Sequence, residues 1–445
     1  MDPHTKAALE QRWNDLPAAQ QIPSQVLGKR TTGCEGTHGV FPKCDFACKP
    51  CYHSSDANKV RVDGPHTLAE VERQMQYTSE KLVSTTYAQL IGGEVSLLEP
   101  EDHAKALEIM WSYGRKPMSF THGDFDYDYL RKIALDENEK PRFPEISFAC
   151  HIDTTMVGRT GFKKPESEAQ LNEARANFAE MFDRLRRDYG VKSFLAHNMT
   201  VTPGNVDQIA DVVANCWDQG WRLFSFQPAA YIGNENRWKE GFRELTSDIV
   251  WSEVERGVGT RLPYEAIHVG DTRCTRSTWG GWVGDTYVPF VDDRDADDRE
   301  FVATALETFP GNMVTYDKFE AVRIARSVAA TPKFVPSGAR WARRFIERGG
   351  GLSSAWKDFR PMTFVMHQFI DAADTAAAWQ HIELGTRAED EKILVAQERL
   401  EACAYIMGHP DRDKSVPACV QHAVYDVEEN RELVQLLPLP TKRSP

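Results

Sequence analysis

Residues 67–98 read TLAEVERQMQYTSEKLVSTTYAQLIGGEVSLL. The first part, to residue 84, has the spacing of a helix, with Thr67 as the capping hydroxyl and Glu70 three positions later. YAQLIG, 87–92, is a short apolar run that reads as a buried strand. Gly92 and Gly93 follow, allowing close backbone approach to a ligand, and then the carboxylate of Glu94, suited to a cationic group. The same rhythm continues outward. Residues 102–113, 126–136, 167–189 and 205–218 read as helices, and MSFT at 118–121, EISFAC at 145–150, KSFLAH at 192–197 and WRLFSFQ at 221–227 as strands. This alternation predicts an α/β fold with a parallel sheet flanked by helices. Five or six repeats suit a partial, TIM-like (β/α)6 barrel better than a complete eightfold one.

Beyond about residue 235 the rhythm fails. A Trp- and Gly-rich stretch (STWGGWVG, 277–284), an acidic run (DDRDADDRE, 292–300) and a basic amphipathic segment (ARWARRFIER, 339–348) follow, and the chain ends in a helix-like stretch and a Pro-rich tail. The expected organisation is an N-terminal extension over 1–32, a core barrel over 33–235, and an α-rich or mixed C-terminal region over 236–445 serving substrate or accessory roles. The acidic run reads as a solvated loop. The basic segment, with Arg340, Arg343, Arg344 and Arg348 beside Trp341 and Phe345, reads as a solvated face with a packed aromatic side.

The chain has 445 residues, 41% apolar and 27% charged, an ordinary globular composition that can bury a large core without disulfides. With 53 basic and 66 acidic residues the net charge is −13, which argues against nucleic acid as the main partner. No window approaches eighteen uninterrupted apolar residues, so no transmembrane segment is expected. The opening MDPHTKAALEQRWNDLP lacks the apolar region of a signal peptide, and the expected location is cytoplasmic. There the nine cysteines stay reduced, as metal ligands, catalysts or small core residues.

Three of the nine stand in Lys43-Cys44-Asp-Phe-Ala-Cys48-Lys-Pro-Cys51-Tyr52-His53. Three thiolates on one tight loop suit three irons of a [4Fe–4S] cube, leaving a fourth iron open to a small molecule. The alternative is a structural zinc site completed by His53 and Cys34. His53 otherwise reads as a hydrogen bonder beside the ligands. Cys150 and Cys216 read as core residues of a strand and a helix. Cys274, Cys403 and Cys419 have no C-x2-C spacing and read as scattered free thiols, so an auxiliary cluster is not favoured.

Several motifs now stand in order: C-x3-C-x2-C at 44–51, Gly92-Gly93-Glu94, Thr121-His122-Gly123, His151-Ile-Asp153 through Arg159-Thr-Gly161, and Asn198-Met-Thr200-Val-Thr-Pro-Gly-Asn205. Together, over roughly 33–230, they resemble the radical S-adenosylmethionine (SAM) superfamily. The longer strings, such as QLIGGEVSLL and FSFQPAA, look like a group of actinobacterial members. Pro50 before the third cysteine, Val95 after Glu94 and His122 depart from the usual pattern and suggest a divergent subgroup.

The resemblance implies a barrel of the radical SAM type and two cofactors, a [4Fe–4S] cluster on Cys44, Cys48 and Cys51 and S-adenosyl-L-methionine. It implies that Gly92, Gly93 and Glu94 meet the SAM amino group, and that Asp153, Arg159, Asn198 and Thr200 are candidates for its carboxylate and ribose, with His122 and His151 behind them. It further implies reductive cleavage of SAM, hydrogen abstraction from a substrate, and an electron donor such as flavodoxin or ferredoxin. The resemblance leaves the substrate unknown; within such chemistry a peptide-modifying and a lipid- or alkyl-chain-modifying activity stand as alternatives. The alternative of another class is a non-catalytic iron–sulfur or zinc redox sensor, which has no need of the motifs beyond the cysteines.

Overall fold

The computed structural model describes residues 1–41, 43–51, 63–82, 86–161, 164–231, 245–311 and 320–436. Eleven strands form one sheet: β1 (Cys34–Gly36), β2 (Thr86–Leu90), β3 (Arg115–Thr121), β4 (Ile146–His151), β5 (Ser193–Val201), β6 (Leu223–Pro228), β7 (Thr275–Val283), β8 (Thr286–Pro289), β9 (Arg360–His367), β10 (Tyr405–His409) and β11 (Lys414–Pro417). Their order is β11-β10-β1-β2-β3-β4-β5-β6-β9-β7-β8. β1 to β6 are consecutive and parallel, with helices in the crossovers after β1 to β5, which is the expected partial (β/α)6 barrel. The sheet stays open, with β11 and β8 as its edges.

The strands alternate as their sequences require. β3 buries every second side chain from Arg115 to Thr121, and β5 is buried along its last seven residues. Phe148, Phe178, Phe182 and Trp221 pack between the sheet and the helix Asn172–Tyr189, with Phe178 stacked on Trp221 at 5.7 Å. Cys150 and Cys216 are fully buried in this core, as expected of a strand and a helix position.

Three local readings need correction. The first crossover helix spans Gly64–Lys81 and is capped by Asp63, whose carboxylate accepts from the His66 amide at 3.0 Å. Thr67 lies inside the helix and donates its hydroxyl to Val40 O at 2.8 Å, because the helix begins one turn earlier, at Gly64-Pro65. The acidic run is not a solvated loop: it opens the helix Ala296–Thr308, with Asp298 fully buried. Nor do the arginines of the helix Phe334–Arg348 simply face water. Arg340 pairs with Asp297 and Glu300, Arg344 with Asp295 and Asp297, and Arg348 with Asp298. The aromatic side of that helix does pack, Trp341 stacking on Phe301 at 4.5 Å.

Residues past 235 contribute strands to both flanks of the barrel. β9 lies parallel beside β6 and is bordered by β7 and β8, β7 being the Trp- and Gly-rich stretch. β10 lies parallel beside β1 and is bordered by β11. No helix among the described residues is long and apolar enough to cross a membrane.

Candidate functional site

The cysteine loop leaves the C-terminal end of β1, the end of an open parallel sheet where ligands collect. It is pinned on two sides by backbone hydrogen bonds. Toward β2, the amides of Gly93 and Glu94 donate to Phe41 O and Lys43 O at 2.6 and 2.8 Å. Toward β4, the amides of Ala47 and Lys49 donate to Val157 O and Thr155 O at 2.8 and 3.0 Å. The glycine at 92 has a steric reason: a Cβ there would lie 2.6 Å from the Phe41 ring.

Between the cysteines, Asp45 and Phe46 dock on the end of β3. Phe46 stacks on the His122 ring at 3.9 Å and 10°, and the Arg159 guanidinium lies 5.5 Å from the Phe46 ring centroid. His122 Nε2 reaches Asp45 Oδ1 at 2.9 Å, and this bond holds the Asp45 carboxyl below its ordinary range. The Glu94 carboxylate is buried under the same corner. Its Oε1 accepts from the Thr121 hydroxyl at 2.6 Å and the Ser96 amide at 3.0 Å, and its Oε2 from the His122 amide at 2.7 Å. Arg159 donates to His122 O at 2.6 Å and to His151 O at 3.3 Å. Glu94 and Arg159 therefore frame the loop through β3 and β4.

Asp153 is buried beneath the ends of β4 and β5. Its Oδ1 accepts from the Thr155 amide and hydroxyl at 2.8 and 2.6 Å, and its Oδ2 from the Thr200 amide at 2.8 Å. His151 Nε2 lies 3.0 Å from Asp153 Oδ2 and 2.9 Å from Thr200 Oγ1. Burial alone would raise the Asp153 carboxyl; the hydrogen bond and charge of His151, with the Thr155 and Thr200 donors, hold it below its ordinary value. Asn198 sits on β5 in register with His151, and its carbonyl accepts from the Ile152 amide at 3.3 Å.

A cavity opens against this loop, lined by Cys48, Pro50, Cys51, His151, Thr155, Met156, Thr200 and Gln227 and closed by 228–230. Of the residues singled out by sequence, Cys48, Cys51, Thr200 and His151 thus face one space, whereas Gly92, Gly93, Glu94, Asp153, Arg159 and Asn198 are not among those that line it. Cys44 stands with them electrostatically. Burial pushes its thiol up to about 12, and the neighbouring charges of Glu94 and Cys51 add to that; the Cys48 thiol is raised by burial and then by Cys51 and Cys44. Thiols of one loop that raise one another in this way ionise together only with a compensating cation, the condition an iron–sulfur cluster would meet. Gln227 adds a second sign of a ligand. Its amide nitrogen donates to Ser225 Oγ at 2.6 Å, while its buried Oε1 has no hydrogen-bond partner among the described residues. The donor set and this orphaned acceptor fit a cluster with a polar small molecule beside it.

Tyr52 and His53 lie outside the described residues. Cys34 begins β1, its Sγ 3.5 Å from Tyr87 O and from Gln89 Nε2. Cys274, Cys403 and Cys419 are free thiols that influence one another electrostatically. The Cys403 thiol is pushed up to about 11 by burial and next by Cys274, and Cys419 is raised by burial, then by Cys403 and Cys274. Arg399 Nε donates to Cys274 Sγ at 3.0 Å. These thiols stay protonated near neutral pH and in that sense inert.

Sequence reasoning missed Asp45 and Phe46, whose role depends on where β3 ends, and Gln227, a polar residue closing an apolar strand, which was a usable signal. It also missed the buried support under Asp153, where Glu168 pairs with Arg175 and accepts from Thr154 and Asn205.

No family model matches this chain, and no curated protein matches it in sequence. Among solved structures it is similar to Streptococcus suis SuiB bound to S-adenosylmethionine, with a TM-score of 0.33 and 15% identity over 46% of this chain and 43% of that one. It is also similar to SuiB bound to the precursor peptide SuiA (TM-score 0.32, 14% identity, 50% of this chain and 42% of that one). A third likeness is to anSMEcpe with bound AdoMet and the Cp18Cys peptide (TM-score 0.31, 12% identity, 50% and 57%). The matches span less than two thirds of each of these chains.

Proposed function

We propose that this chain is a radical SAM enzyme. The observation that carries the reading is the loop of Cys44, Cys48 and Cys51 set at the C-terminal strand ends, with Cys48 and Cys51 facing a cavity shared with His151, Thr200 and Gln227. Held there, a [4Fe–4S] cluster with S-adenosylmethionine supplies reductive cleavage of SAM and abstraction of a hydrogen atom from the substrate. The chain's own residues bind and orient. The three thiols give up their protons to become ligands. Glu94, fixed by Thr121 and His122, offers a buried negative charge toward the SAM amino group, with Gly92 and Gly93 admitting it closely. Asp153 orients the Thr200 backbone and the His151 ring toward the cavity, and Gln227 Oε1 accepts from a donor of the bound molecule. Arg159, bonded to the carbonyls of His122 and His151, and Asn198, in register with His151, support that wall from behind. In this reading 33–235 carries the cofactors, 236–445 serves substrate or accessory roles, and a flavodoxin- or ferredoxin-like donor provides the electron.

The test is anaerobic reconstitution of the full chain with iron and sulfide, then addition of SAM and dithionite. The expected result is a brown protein that releases 5′-deoxyadenosine, and loss of that release when Cys44, Cys48 and Cys51 are all replaced by Ala. If the triple variant still cleaves SAM reductively, the assignment fails. A wild-type protein that takes up zinc and no iron would return the sensor or structural-zinc alternative.

A further inference from the structure

A second cluster of metal-ligating side chains lies at the edge of the barrel and takes no part in the reading above. The parallel register of β1 and β10 pairs Gly36 with Met407, and continued two residues it sets His38 beside His409 on one face. Their rings stack at 4.0 Å and 20°. The C-terminal helix Asp426–Leu436 places Glu429 against the same edge of both rings. Glu429 Oε2 is 3.0 Å from His38 Nδ1, and Oε1 is 3.6 Å from His409 Nδ1. Both histidines are buried.

The opposite nitrogens decide the chemistry. His38 Nε2 lies 3.0 Å from Gly408 O, and His409 Nε2 lies 2.5 Å from Gln421 Oε1. The orientation of Gln421 follows from its amide nitrogen, which donates to Asp426 Oδ1 and Glu429 Oε2 at 3.0 Å each. Carbonyl oxygens only accept, so each Nε2 carries its hydrogen, and in a neutral imidazole the other nitrogen then presents a lone pair. With both rings neutral, two Nδ1 lone pairs and a carboxylate converge on one point; a proton between His38 and Glu429 is the competing occupant. Such an arrangement calls for a positive centre between the donors. Histidines whose far nitrogen is committed to a carbonyl acceptor are the usual pattern around bound metal, because that bond fixes tautomer and ring orientation.

We propose that His38, His409 and Glu429 form a binding site for a divalent transition-metal ion of borderline softness, zinc or ferrous iron, through two Nδ1 atoms and one carboxylate. The donor set of two imidazoles and one carboxylate suits both ions. A bound ion ties the helix Asp426–Leu436 to β1 and β10, and so fastens the end of the chain to the strand from which the cysteine loop departs. The site is independent of the cofactor reading, since none of its ligands is a cysteine.

Cobalt(II) tests it on the full-length protein, because nitrogen and oxygen ligands give visible d–d bands while thiolates add strong near-ultraviolet charge transfer. The expected result is one ion per chain with d–d bands free of thiolate character, displaced by zinc and, anaerobically, by ferrous iron. In His409→Asn and Glu429→Gln that binding weakens by about tenfold or more, the range seen when a metal's ligand sphere is disturbed, while any thiolate-bound cobalt is unchanged. Displacement by one ion alone identifies which of the two the site takes; displacement by neither overturns the proposal. Equal spectra for wild type and variants would also overturn it and leave an imidazolium–carboxylate contact. Should a variant fail to fold, proton resonances answer the question in the wild type: two exchangeable, paramagnetically shifted Nε2–H signals are expected with cobalt, and their absence sinks the site.

Discussion

Glu94 has three donors on its two oxygens, the Thr121 hydroxyl, the Ser96 amide and the His122 amide, and a carboxylate offers about four lone-pair positions. In Glu94→Gln the amide nitrogen must face either the His122 amide or the Thr121–Ser96 pair, and only the hydroxyl can turn to accept. The expected result is a loss of about 1–3 kcal/mol of stability, the cost of an unmet buried donor, and SAM affinity lower by about tenfold, with iron content unchanged. Urea denaturation reads the first, and titration of SAM into the reconstituted protein reads the second. Wild-type affinity with an intact cluster would remove Glu94 from the SAM site, and an unchanged urea midpoint would show that its hydrogen bonds carry no stability. At this scale the sequence was legible for residue identity. The cysteines and Gly92-Gly93-Glu94 announce themselves by spacing, but the bonds that fix Glu94 come from β3, whose end is a matter of register.

The helices Ala296–Thr308 and Phe334–Arg348 make an acidic and a basic segment into one paired unit. Asp298 is at its centre, accepting from the Asp292 amide at 2.7 Å and from Arg348 Nη1 at 2.6 Å. Burial raises its carboxyl above the ordinary range, and Arg348 opposes that rise. Arg348→Met removes the partner and leaves the charge. Losing one member of a fully buried pair costs about 3–5 kcal/mol, and the partial exposure of Arg348 reduces the expected loss to about 2 kcal/mol. The loss should be smaller at about pH 5 than at about pH 8, because a raised carboxyl without its cation takes up a proton as the pH falls. A urea midpoint insensitive to the substitution at both pH values would contradict this. The aromatic side of the basic helix was readable from its spacing. Its acidic partner was not, since a run of Asp residues looks the same whether water or arginine faces it.

For the whole molecule, the barrel between 64 and 228 was legible because each of β2 to β6 is a short apolar run separated from the next by a helical period. β1 has three residues and no pattern of its own, and β7 to β11 occur without that alternation, so their places in the sheet could not be read. The same is true of His38, His409 and Glu429, which only the pairing of β1 with β10 brings together. That pairing has a measurable weight. A chain ending at residue 400 lacks β10 and β11 and exposes the edge of β1. It is expected to accumulate mainly as insoluble protein and to bind little iron after reconstitution; a soluble truncated chain with full iron content would refute the dependence.

The juxtaposition of residues 34–36 with 405–407 also sets a timetable for biosynthesis. Translation at about 5–20 residues per second separates the emergence of these two segments by tens of seconds. Through that interval the nascent chain holds β1 with one flank unpaired, and the cysteine loop hangs from it. In the proposed reading, a cluster that needs the finished loop waits until residues 405–407 have been made and have paired with β1.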